Sequence, residues 1–285
     1  MFFLPALINF FQLAINPVPT FFTNAPALLV VATFFITWIG CWLPVAVISA
    51  LVIDWQPNKP LQPKQKIPLV VSLYLLAPLM IWGVCWLTNT SFLTYGFVKN
   101  ISTIGYFLLG FGLGVLTLAT VFIGQFSCGW CRFEASSTKL LPSIFLPILL
   151  VGLLVGGVEE LVFRGFLLTQ LLADYSVGVA AITSSLIFAS LHLAWERRET
   201  IPQLPGLWLM GMVLVLARFV CSGNLGLAWG LHSAWVWAIA TLDTSELIIY
   251  TGKAPEWVTG KNKKPLAGVA GIICMLLTTG ILCFF

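Results

Sequence analysis

The sequence predicts an all-α fold: a polytopic transmembrane helical bundle of about eight spans, forming a single membrane-embedded domain over residues 1–285. Three observations predict it. Hydrophobic residues make up 59% of the chain and charged ones 8%, with a mean hydropathy of +1.00. A soluble globule of this size cannot bury so much apolar surface. Apolar runs of about 20 residues, the length that a bilayer core requires, recur at 26–53, 68–88, 104–124, 143–173, 177–195, 203–221, 225–242 and 266–285. Finally, Lys and Arg fall on alternate loops. Eleven follow spans one, three, five and seven (Lys59, Lys64, Lys66; Arg132, Lys139; Arg197, Arg198; Lys253, Lys261, Lys263, Lys264), against Lys99 alone after the even spans. The positive-inside rule then places the odd loops in the cytosol. The net charge of +4 reports this topology and not nucleic-acid binding.

Taken in order, the N-terminal "MFFLPALINFFQLAINPVPTFF" has no basic residue ahead of its apolar run and no small-residue cleavage site, so it makes a poor signal peptide. Pro17 and Pro19 end it early, and an interfacial or re-entrant segment is expected over 1–25. Span three carries Gly110 and Gly114 in "GFGLG", a spacing that lets two helices approach closely. "CGWC" (Cys128 to Cys131) follows it. Two thiolates with no second pair and no nearby His do not complete a zinc site, and an odd count of seven cysteines argues against a disulfide framework. Cytosolic cysteines kept reduced are the reading.

Span four, 143–173, would be about 46 Å long as one helix, more than a bilayer core of roughly 30 Å. A break, tilt or protruding end is required, and Gly156–Gly157 offers the place for a kink. Just beyond it, "LLVGGVEELVFRGFLL" sets Glu159, Glu160 and Arg164 into an apolar run. Each ionised group near mid-membrane costs about 2.5–3.5 kcal/mol on insertion scales. Glu160 and Arg164 stand at i,i+4 and can pair. Glu159, turned about 100° away on an α-helix, is not explained by that pair. An intramembrane carboxylate of this kind is a functional candidate. The chain's two histidines, His192 and His232, also lie inside predicted spans. One carboxylate and two imidazoles from three helices can position a water, or hold a divalent metal such as zinc facially.

These residues carry a resemblance. "EELVFR" (Glu159, Glu160, Arg164) is similar to the EExxxR signature of the CAAX prenyl protease and bacteriocin-processing family, the type II CAAX endopeptidases. "FASLH" (Phe188, His192) resembles its second motif, FxxxH. The third motif is a His followed four residues on by Asn or Asp. "HSAWV" supplies His232 but puts Val236 at that place. The signature region spans about 143–242. The resemblance implies an intramembrane endopeptidase that hydrolyses a peptide bond of a membrane-associated protein or peptide, prenylated tails included. It implies Glu159 as general base assisted by His192, Glu160 paired with Arg164, Phe188 in support, and His232 as an oxyanion stabiliser. Glu159, His192 and His232 are equally the candidate metal ligands, and the site is read either as metal-free or as holding zinc.

Loss of one oxyanion donor typically costs ~10²–10³ in rate, and Ser233 and Asn224 are the nearest polar substitutes for the missing side chain. A non-catalytic member acting as a membrane scaffold or bacteriocin-immunity protein is the alternative that Val236 favours. A transporter would show repeated broken helices in its two halves, and no such repeat is visible. The partners expected are the lipid bilayer and that substrate, in the cell membrane, with no nucleic acid.

Overall fold

The computed structural model describes residues 17–55, 62–194 and 197–285. Its helices follow the apolar runs, as long uncharged segments demand when no water is at hand to satisfy backbone groups. They are α1 (Pro17–Asn24), α2 (Ala27–Val52), α3 (Pro63–Thr88), α4 (Ile101–Ser127), α5 (Leu141–Glu159), α6 (Leu168–Asp174), α7 (Val177–Leu191), α8 (Leu204–Val220), α9 (Gly226–Ser245) and α10 (Val269–Leu282). Short turns and one two-stranded ladder complete the described chain. It is an all-α polytopic membrane protein. Six stretches are long and apolar enough to cross a bilayer by length and composition: Ala27–Val52, Ile67–Thr88, Ile101–Ser127, Ala135–Asp174, Val177–Ala194 and Arg197–Val220. The last expected span, 266–285, yields a helix of 14 residues, shorter than the roughly 20 a crossing needs. Of the interfacial segment expected over 1–25, residues 1–16 lie outside the described residues, and α1 takes up most of the remainder.

The chain divides into two compact units. One takes the described residues up to Thr94 together with Thr169–Tyr175. There α2 packs on α3 through tryptophans whose indole N–H groups reach polar acceptors: Trp38 donates to the Leu73 carbonyl at 3.0 Å and Trp42 to Ser72 Oγ at 3.1 Å. Asp174 Oδ2 accepts from the Ala27 amide at 2.6 Å, so a carboxylate closes the N-terminus of α2 where the helix dipole favours it.

The other unit takes Tyr95–Leu168 and Ser176–Phe285 and is built around α9. Nine of the first ten residues of α9, Gly226 to Trp235, are buried, with Trp229 the exception. A helix covered on all sides is a core element. Small residues make that possible. A Cβ at Gly114 would fall 2.8 Å from Ala234 Cβ, and one at Gly230 would fall 2.6 Å from the Phe111 amide nitrogen. The Gly110–Gly114 spacing therefore does serve close packing, of α4 against α9.

After α4, Cys131–Phe133 (β1) pairs antiparallel with Ile248–Tyr250 (β2), Cys131 opposite Tyr250. Burial pushes the Tyr250 hydroxyl up to about 12 and raises the Cys131 thiol as well, so both stay protonated near neutral pH. All seven cysteines are free thiols.

Gly230→Val is expected to destabilise the protein by at least about 1–3 kcal/mol through overpacking. Gly112→Val, where an added Cβ meets open space, is expected to leave stability unchanged. Denaturant titration of the two variants in detergent checks the contrast.

Candidate active site

The irregularity expected in the fourth span lies later than Gly156–Gly157. Helix α5 runs through both glycines to Glu159, and the eight residues Glu160–Leu167 then form a π-helical stretch. The glycines serve packing instead. A Cβ at Gly156 would fall 2.5 Å from Ser233 Oγ, and one at Gly157 3.0 Å from Trp229 Nε1. The Trp229 indole donates to the Leu153 carbonyl at 3.0 Å. This lets α5 and α9 lie close enough for side chains beyond the glycines to meet.

They meet at His232. Glu160 Oε1 accepts from Arg164 Nη1 at 3.0 Å, the i,i+4 pair expected from sequence, and the same oxygen lies 2.8 Å from His232 Nδ1. Glu159 Oε2 stands 3.5 Å from His232 Nε2, an ion-pair distance longer than a hydrogen bond. One imidazole thus stands between two sequence-adjacent carboxylates. Glu159 and Glu160 both keep α-helical backbone angles (φ/ψ −66°/−40° and −64°/−39°) at the junction where the π stretch begins. They share a partner because the imidazole lies between their two directions and offers one nitrogen to each. With Nδ1 carrying a proton donated to Glu160, the ring presents Nε2 to Glu159.

The cluster is dry. Glu160 is 0% exposed, Arg164 and His232 1% each, and Glu159 7%. Charge compensation is therefore obligatory. Arg164 also stacks its guanidinium 4.2 Å from the centroid of the Phe188 ring. That ring, fully buried, meets His192 edge-on at 4.7 Å and His232 edge-on at 5.9 Å between centroids. Phe188 is thus the spacer between the two imidazoles and a platform for Arg164. His192, half-buried at the end of α7, has Nδ1 2.8 Å from the Phe188 carbonyl of its own helix. A proton on Nδ1 leaves Nε2 as the nitrogen free to accept.

Asn224 does not stand in for the missing amide. Its Oδ1 accepts from the Gly226 amide at 2.7 Å and its Nδ2 donates to Thr103 Oγ1 at 2.8 Å, so it caps the start of α9. Val236 is half-buried. Two neighbours of His232 carry unused donors. Ser233 Oγ and the Trp235 indole N–H are buried and have no hydrogen-bond partner among the described residues. Trp235, three residues after His232, shares its face of α9. Sequence reasoning overlooked Trp235, although an indole at that spacing was the available signal. It overlooked Arg218 too, a second arginine inside an apolar span, which donates from Nη1 to the Arg164 carbonyl.

Among the described residues no group of three or more His, Cys, Asp or Glu is placed to hold a metal ion. Both nitrogens of His232 face carboxylate oxygens instead. The arrangement does not fit the zinc-ligand set of Glu159, His192 and His232 expected from sequence.

Residues 141–238 match the family described as type II CAAX prenyl endopeptidase Rce1-like. The match covers about a third of the chain and includes Glu159, Glu160, Arg164, Phe188, His192 and His232. No curated protein and no solved structure matches the chain. The molecule is an integral membrane protein, about a third of which is similar to a CAAX-type endopeptidase family.

Arg164→Met leaves Glu160 buried without its guanidinium and is expected to cost about 3–5 kcal/mol. Adding Glu160→Gln is expected to recover a large part of that loss. A double-mutant cycle on unfolding free energy checks it.

Proposed function

We propose that this protein is an intramembrane endopeptidase in which Glu159 activates a water for attack on a peptide bond of a membrane-associated protein or peptide. The observation that carries this reading is the carboxylate–imidazole–carboxylate array of Glu159, His232 and Glu160, buried among apolar helices within the stretch that matches the protease family. Ionisable groups inside a membrane protein are retained at a cost, and function is the usual reason.

In the proposed reaction Glu159 takes a proton from water as the hydroxide adds to the scissile carbonyl carbon. His192, through Nε2, orients that water. The oxyanion of the tetrahedral intermediate is met by His232 and by donors beside it, with the Trp235 N–H and Ser233 hydroxyl filling the place that Val236 leaves without a polar group. Collapse breaks the C–N bond, and the proton held by Glu159 passes to the leaving nitrogen. Glu160 and Arg164 take no proton; they hold the imidazole and balance its surroundings. Substrates of the prenylated class belong to this reading, as do a place in the cell membrane and a cytosolic side for the odd loops, which the Lys/Arg asymmetry supports.

The scaffold or immunity reading draws on Val236. The two diverge on turnover. In proteoliposomes containing quenched-fluorescent peptides, one farnesylated and one acylated, Glu159→Gln is expected to lower kcat by at least about 10²-fold with unchanged thermal stability. Equal cleavage by parent and variant, or none by either, would overturn the protease reading. Trp235→Phe keeps the ring and removes the N–H. It is expected to lower kcat by about tenfold or more while KM holds, and Val236→Asn to raise turnover.

A further inference from the structure

A π-helical stretch disturbs the backbone ladder where it rejoins an α-helix. Here the Leu168 amide bonds the carbonyls of Phe163 and Gly165 and passes over that of Arg164. A carbonyl passed over in an apolar interior is costly unless a donor reaches it. The donor is Arg218, in the last turn of α8 and itself 7% exposed, whose Nη1 donates to the Arg164 carbonyl. Its Nε donates to the Gly223 carbonyl at 3.4 Å. Gly223 lies in the turn that feeds α9, where Ser222 and Gly223 both take positive φ (52° and 90°).

One planar guanidinium therefore joins the π stretch that opens at Glu160 to the turn that starts the helix bearing His232. Two acidic side chains, Glu159 and Glu160, and two guanidiniums, Arg164 and Arg218, are buried in this region.

We infer that Arg218 is a positioning residue of this site: it holds the π register of Glu160–Leu167 and the α8–α9 turn in one geometry, so that the two carboxylates and His232 meet. The inference rests on the protease reading for its kinetic consequence and on the backbone contacts for its structural one. A lysine keeps the charge but cannot present two donors in a rigid fork to two carbonyls, which separates charge from geometry.

The test uses full-length Arg218→Met and Arg218→Lys in proteoliposomes. Arg218→Met is expected to lower kcat about tenfold or more with KM within about twofold, and Arg218→Lys to recover part of the loss. Amide hydrogen exchange gives a readout that needs no activity. In Arg218→Met, exchange should rise in peptides covering 159–168 and 222–226 and stay at the parent level in 101–127. Parent-like kcat, or exchange that is unchanged or raised throughout the chain, would overturn the inference. If the parent cleaves neither peptide, the protease reading fails, and the exchange pattern alone decides whether Arg218 sets the register.

Discussion

The site depends on one constraint: charges taken out of water must find partners within the protein. Glu160 is shut off from solvent, and a single oxygen of it receives both Arg164 and His232. That oxygen sets the order of everything nearby. Arg164 must stay on the same helical face, Phe188 must lie flat beneath the guanidinium, and α9 must come near enough for an imidazole to span two acids. None of these groups is tolerable alone in an apolar interior, so they hold together or fail together.

Backbone geometry and packing are shaped to that end. The His232 ring reaches between two successive carboxylates, and the π stretch that opens at the second of them interrupts the regular ladder. Glycines at 110, 114, 156 and 230 remove the side chains that would keep α9 from its neighbours. Tryptophans then fill what remains, with Trp229 in edge contact with Phe97 and tilted against Phe107. Small residues set the distance between helices, and aromatic ones seal the gaps.

Much of this was legible in the sequence. Apolar runs mark the helices because a bilayer leaves the backbone no alternative, and the Glu160–Arg164 pair follows from four-residue spacing. What the spacing hides is equally instructive. The α-helical angle separates Glu159 from Glu160, and what joins them is the His232 ring from α9, a tertiary partner that no local rule announces. The mid-span break was placed at Gly156–Gly157 because glycine pairs are known weak points, yet those glycines are claimed by the approach of Ser233 and Trp229. Asn224 looked like a spare amide and proves to be a helix cap. His192 and His232 come from different helices, and the Phe188 ring stands between them, in edge contact with both.

The β1–β2 ladder has a consequence for the path of the chain. Segments that share backbone hydrogen bonds sit at one membrane face, so the polypeptide between Phe133 and Ile248 must cross the bilayer an even number of times. Three stretches in that interval qualify as crossings by length and composition. If all three cross, an even count requires a fourth traverse, and Gly226–Ser245, whose His, Ser and Gly content lowers its hydropathy, is the long helix left in that interval.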